Sequence, residues 1–205
     1  MTKEKYLEDL KDIKSIMERS SRFISLSGLS GVIAGIVALA AAYLAYQTVY
    51  ARQDYLNYRT AIMDQDAIIT LLGIAISSLL LSLGAGIFFT RRQARRHDQK
   101  LWDAQARRLV FNLAIPLMAG GILCLILLFK GFIGLVAPLT LVFYGLALIN
   151  ASKYTLSEIR SLGICEVIIG LIGCQFIGFG LILWAIGFGV LHIIYGIAMY
   201  IKHGA

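Results

Sequence analysis

The sequence predicts an all-α polytopic membrane protein, a six-transmembrane-helix bundle preceded by a cytoplasmic amphipathic helix. Three observations carry that prediction. Of 205 residues, 59% are hydrophobic and 15% charged, a composition outside the range of soluble domains. From Ser161 to Ile201 there is one Glu, one His and no Lys, Arg or Asp, so this stretch has no means of building a water-facing surface. The chain also holds six apolar runs, most near the roughly 20 residues a helix needs to cross a hydrocarbon core of about 30 Å. The alternating segments of a closed β-barrel are absent.

The first element, residues 1–22, is a charged helix in which Tyr6, Leu10, Ile13 and Met17 form one apolar stripe. Such a stripe suits the headgroup layer or a partner helix. One transmembrane domain, 23–205, follows, with spans expected at 23–46, 67–89, 109–129, 132–150, 162–177 and 180–201. Lys130 and Gly131 alone separate the third and fourth spans, and the segment Ile177 to Gly180 separates the last two. Each pair is therefore expected to be a tight hairpin. The second connection, RRQARRHDQKLWDAQARR, has no Pro or Gly, so a helix can run through it and connect the second and third spans.

Charge placement sets an expected orientation. Alternate connecting segments carry 16 of the 19 Lys and Arg residues and the others carry 3, which by the positive-inside rule puts both termini in the cytoplasm. The same distribution argues against nucleic acid as a partner despite the net charge of +7. Arg91, Arg92, Arg95, Arg96, Arg107 and Arg108 instead suit anionic lipid headgroups, each contributing on the order of 1 kcal/mol near the surface. Acidic and basic residues before Phe23 favour an uncleaved first helix over a signal peptide. Tyr43, Tyr46 and Tyr50 are expected to form an interfacial belt, and Tyr55 and Tyr58, in the polar stretch RQDYLNYR, are the only candidates there for a small external contact site, an ordinary polar connection being the alternative.

The last two spans hold the most unusual chemistry. GICEVIIG (Gly163 to Gly170) and GVLHIIYG (Gly189 to Gly196) share one frame, with Glu166 and His192 at matching positions. Gly163, Glu166, Gly170 and Gly173 recur at spacings of three, four and three, and Ala185, Gly189, His192 and Gly196 at four, three and four. Both are helix-packing seams, the composition that lets membrane helices approach closely. With Gly178 as the turn, Glu166 and His192 lie about 18 and 21 Å from it at 1.5 Å per residue. The two glycine faces are therefore expected to meet, with acid and base level between them. A charge at a helix centre costs about 2.5 to 3.5 kcal/mol on insertion scales, so the pair is expected to share a proton, either as a proton-responsive site or as a structural hydrogen bond.

Other features are weaker. FYGLAL (Phe143 to Leu148) and IYGIAM (Ile194 to Met199) align Tyr144 with Tyr195 and Gly145 with Gly196 at an offset of 51 residues, suggesting duplicated hairpins of parallel topology. Pro116 and Pro138 free the carbonyls of Asn112 and Gly134. Gly28, Gly31 and Gly35, with Ala38 and Ala42, give the first span a small-residue face. Cys124, Cys165 and Cys174 form no metal or redox motif and are expected to be small apolar fillers. No catalytic or metal-binding motif is present, so no enzyme, metal or cofactor is expected.

The block RSSRFISLSGLSGVIAGIVAL (Arg19 to Leu39) and the EKYLEDL helix before it resemble a group of uncharacterised six-span inner-membrane proteins of Bacteroidota-type bacteria. The resemblance is most specific over about the first 45 residues. It implies a bacterial cytoplasmic membrane and a companion winged-helix regulator, and transfers no activity or site residue. The expected function is a non-enzymatic regulatory, sensory or assembly component, with a second copy or a membrane or cytoplasmic protein as partner. The competing expectation is a small proton-linked transporter or channel that uses Glu166 and His192.

Overall fold

The computed structural model describes residues 28–49, 65–96, 102 and 104–203. The amphipathic helix expected at 1–22, the first residues of the first span, and Tyr50, Tyr55 and Tyr58 lie outside them. Every regular element among the described residues is helical, with no strand. Helix α1 is Gly28–Val49, α2 Gln65–Arg96, α3 Ala104–Phe129, α4 Ile133–Ala151 and α5 Glu158–Gln175. A 3-10 turn, Ser152–Tyr154, follows α4. The last helix, α6, runs from 180 to 203 and is α-helical at both ends with a π-helical middle, Ala185–Leu191.

Five of these helices, all but α5, are long and apolar enough to cross a membrane. Helix α5 differs because its 18 residues include Glu158, Arg160 and Glu166. The outer surface matches a lipid solvent. Leu80 is 63% exposed, Phe111 68% and Phe129 72%, an apolar exposure that water would not tolerate over whole helices.

The α3–α4 hairpin closes as its sequence dictates. Gly131, at φ 83°, takes the left-handed conformation that glycine adopts without a Cβ clash. Phe132 N–H donates to Leu127 O at 2.9 Å and Gly131 N–H to Leu128 O at 3.1 Å, the paired bonds of a Schellman cap. Farther along, the Asn150 amide donates to Asn112 O at 2.9 Å, supplying the donor that Pro116 lacks. In the connection between α2 and α3, Trp102 lies in a bend, so one unbroken helix does not run through it; residues 97–101 and 103 lie outside the described ones. Lack of Pro and Gly permits a helix without requiring one, and two consecutive spans need a reversal between them.

Two close seams organise the bundle. Along α4 and α5, a Cβ on Gly145 would strike Gly163 O and Val167, one on Gly170 would strike Pro138 O and Val142, and Gly173 packs on the Pro138 ring. Along α1 and α6, Gly28 meets Gly196 and Tyr200, Gly35 meets Gly189 and Ile193, and Gly196 meets Gly28 and Val32. In both seams backbones touch because small residues allow it. The pairings run in opposite chain directions, so each seam joins antiparallel helices. Helix α2 packs on α1, α3 packs on α4, and α6 bridges the two groups by also meeting α4 and α5.

Candidate functional site

The site lies where α6 crosses from α1 to α4 and α5. On α6, Trp184, Phe188 and His192 recur every four residues and share a face. On α4, Thr140 and Tyr144 do the same. Trp184 Nε1–H donates to Thr140 Oγ1 at 3.1 Å, while the Thr140 hydroxyl donates to Ala137 O at 2.6 Å. The rings of Phe188 and Tyr144 lie 4.8 Å apart, and those of Trp184 and Phe188 5.0 Å apart. The row ends at His192, whose ring stacks on Phe188 at 5.8 Å and lies 5.4 Å from Tyr144.

Both His192 nitrogens are engaged. Nε2 is 2.8 Å from the Tyr144 hydroxyl. Nδ1 is 3.1 Å from Gly187 O and 3.4 Å from Glu166 Oε1. A carbonyl only accepts, so its hydrogen-bond partners assign a proton to Nδ1. A neutral ring then accepts the Tyr144 O–H at Nε2. A doubly protonated ring donates there, and Tyr144 must turn its own proton elsewhere.

Glu166 is 0% exposed, and neither of its oxygens has a hydrogen-bond partner. The 3.4 Å approach to His192 is long for a hydrogen bond and short enough for an ion pair. Oε2 lies against Gly187: a Cβ there would overlap both Oε2 and the Leu141 side chain. The carboxyl is therefore held dry, with one base at its edge.

Glu166 and His192 are brought together, but not by the two glycine faces expected to meet. Gly163, Gly170 and Gly173 pack on α4, and Gly189 and Gly196 pack on α1. The glycine that makes room for Glu166 is Gly187, outside both repeated frames. Geometry explains the correction. Residues three apart on an ideal α-helix already differ by about 60° in direction, and the wider π turn before His192 changes the angle further. Gly189 and His192 therefore face different neighbours.

The sequence presents Tyr144 only within a repeat and does not single out Gly187, Leu141 or Trp184. The four-residue spacing of Trp184, Phe188 and His192 was the available signal. Arg91, Arg92 and Arg95 are exposed in the last described turns of α2, whose last described residue is Arg96, and Arg107 and Arg108 are exposed in the first turns of α3. Cys124 is buried, Cys174 half-buried and Cys165 exposed, all as free thiols. Among the described residues no group of three or more His, Cys, Asp or Glu could hold a metal ion.

At the end of the bundle where α5 begins and α6 finishes, Lys202 pairs with Glu158. Hydrogen bonding from Lys202 holds the Glu158 carboxyl well below its usual range, at about 2. The chain matches no protein-family model, no curated protein and no solved structure.

Proposed function

We propose that this protein is a non-enzymatic regulatory, sensory or assembly component of the bacterial cytoplasmic membrane, with the Glu166–His192 pair as its proton-responsive element. In this reading it spans the membrane six times with both termini in the cytoplasm. Helix α5 carries the remaining span, expected at 162–177: it lies antiparallel to α4 and α6, with Glu158 at its end outside the span.

The observation that carries the reading is the position of Glu166. A fully shielded carboxyl faces a single base at the joint between two helix groups that are otherwise zipped by glycine. A change of protonation there alters the charge balance across that joint and biases how α6 sits against α4 and α5. The polar side chains elsewhere in the spans fit a solute pathway poorly. Thr70, Ser77, Ser78 and Asn112 each donate to a carbonyl three or four residues back on their own helix.

The test is reconstitution of purified protein in liposomes with an entrapped pH dye, alongside recovery of partners in mild detergent. Proton leak equal to that of empty vesicles, with a partner retained in a pH-dependent manner by the native protein and not by Glu166→Gln, is expected. Proton or solute flux abolished by Glu166→Gln would replace this reading with the transporter or channel.

A further inference from the structure

A dry acid–base pair can respond to pH only if protons reach it, and the two ends of the bundle differ in what they offer. Toward the α5–α6 turn the way is closed by Leu141 and Pro138, both fully buried, and by Gly173 and Gly180 packed on the Pro138 ring. Thr140, the polar group on that side, already spends its proton on Ala137 O and accepts from Trp184.

Toward the opposite end stands Tyr195. Its hydroxyl is buried and has no hydrogen-bond partner, an arrangement that in a native core calls for a physical reason. Tyr144 and Tyr195 pack on the same apolar cluster of Leu148, Ile159 and Leu162; Tyr195 follows His192 by three residues on α6, toward Lys202, and Ile159 of that cluster is the chain neighbour of Glu158. Glu158 is eight residues from Glu166, about 12 Å along α5. Its side chain is 25% exposed and that of Lys202 64%, so water reaches that end.

We infer that Tyr195 is the relay through which the Glu166–His192–Tyr144 cluster exchanges its proton with water at the Glu158–Lys202 end. The inference rests on the proton-responsive reading of the pair. The transfer balances as follows in charge and atoms. The Tyr144 O–H bond breaks as Nε2–H forms on His192, Tyr144 regains a proton from Tyr195 directly or through one water, and Tyr195 regains one from solvent beside Glu158. One proton leaves solvent and one arrives on the pair. The ionisable groups facing this route are Tyr144 from α4, Glu158 and Glu166 from α5, and His192, Tyr195 and Lys202 from α6. Helix α1, packed on the other side of α6, carries no Asp, Glu, Lys, Arg or His.

Infrared hydrogen–deuterium exchange on the full chain in lipid tests the relay. The carboxylic C=O band of protonated Glu166, titrated in across an acid-to-neutral pH series, is identified by its loss in Glu166→Gln, and its shift is followed after transfer to deuterated buffer. Tyr195→Phe is expected to keep the band and the thermal midpoint but slow the shift about tenfold or more, a modest share of what positioned proton donors contribute. Thr140→Val, on the closed side, is expected to leave the rate unchanged. Native-rate exchange in Tyr195→Phe, or equal slowing in Thr140→Val, would overturn the relay while leaving the pair's role intact. If Tyr195→Phe lowers the thermal midpoint, Glu158→Gln at the mouth of the route must give the slowing instead, and its failure to do so overturns the relay. No Glu166 band at any pH would remove the proton-responsive reading itself, and the relay with it.

Discussion

On its α1 side, helix α6 presents Gly189 and Gly196, which pack closely on Leu39 and on Gly28 and Val32 of α1. On its α4 and α5 side it presents Trp184, Phe188 and His192, and the contact is made through rings, hydroxyls and a buried carboxyl. The first face packs by close approach of small residues. The second depends on protonation states and hydrogen-bond roles that can reverse. One helix therefore has a fixed side and an adjustable side, and the π-helical turn before His192 is what lets the two point in different directions.

The largest expected effect breaks the fixed side. Gly196→Leu places side-chain atoms where Gly28 O and Val32 N now sit and is expected to cost about 3 kcal/mol or more, at the upper end of overpacking effects. Gly121, by contrast, has open space around the position of a Cβ, and Gly121→Ala is expected to hold or slightly raise the midpoint. Thermal unfolding in detergent compares the two. Equal losses would show that the seam has no special role.

Next comes the adjustable side. Glu166→Gln and His192→Gln should each lower the midpoint, yet their double variant should lose less than the two effects added, with a coupling of about 1 to 3 kcal/mol. Losses that simply add would remove direct contact between the two groups. A smaller effect, about 1 kcal/mol, is expected for Asn150→Ala, which strips the Asn112 carbonyl of its donor. Pro116→Ala in the same chain restores a backbone N–H and should recover part of the loss.

The smallest effect concerns pH at the helix ends. The folded-state carboxyl of Glu158 titrates near about 2, below its unfolded value of about 4.3. Its contribution is therefore present above the unfolded value and disappears as pH falls toward the folded one. Exposure of Lys202 keeps the effect small. Lys202→Met should flatten this acid limb of the stability curve, and an unchanged limb would show that the ion pair adds nothing.

Much of this was legible in the chain. The absence of Lys, Arg and Asp from Ser161 to Ile201, with Glu166 and His192 as its only Glu and His, leaves a helix in lipid or protein as the only economical state, because every backbone group must then be bonded within its own segment. Gly131 after an apolar run marked the α3–α4 turn, and Gly28, Gly31 and Gly35 marked a close-packing face. Even the level of Glu166 and His192 followed from counting residues back from Gly178.

What residue order could not supply was the partner of each face. A glycine stripe states that something comes close without stating what, since a missing side chain carries no shape or charge to distinguish α1 from α4 or α5. Hence Gly163 and Gly189, matched in sequence, pack on different helices, and Tyr144 and Tyr195, matched in a repeat, have different hydroxyl environments. Helix, apolarity and depth were set locally by composition and rise per residue. Which faces met was decided only when all six helices competed for the same contacts, and a single widened turn in α6 sent its glycines to one neighbour and its imidazole to another.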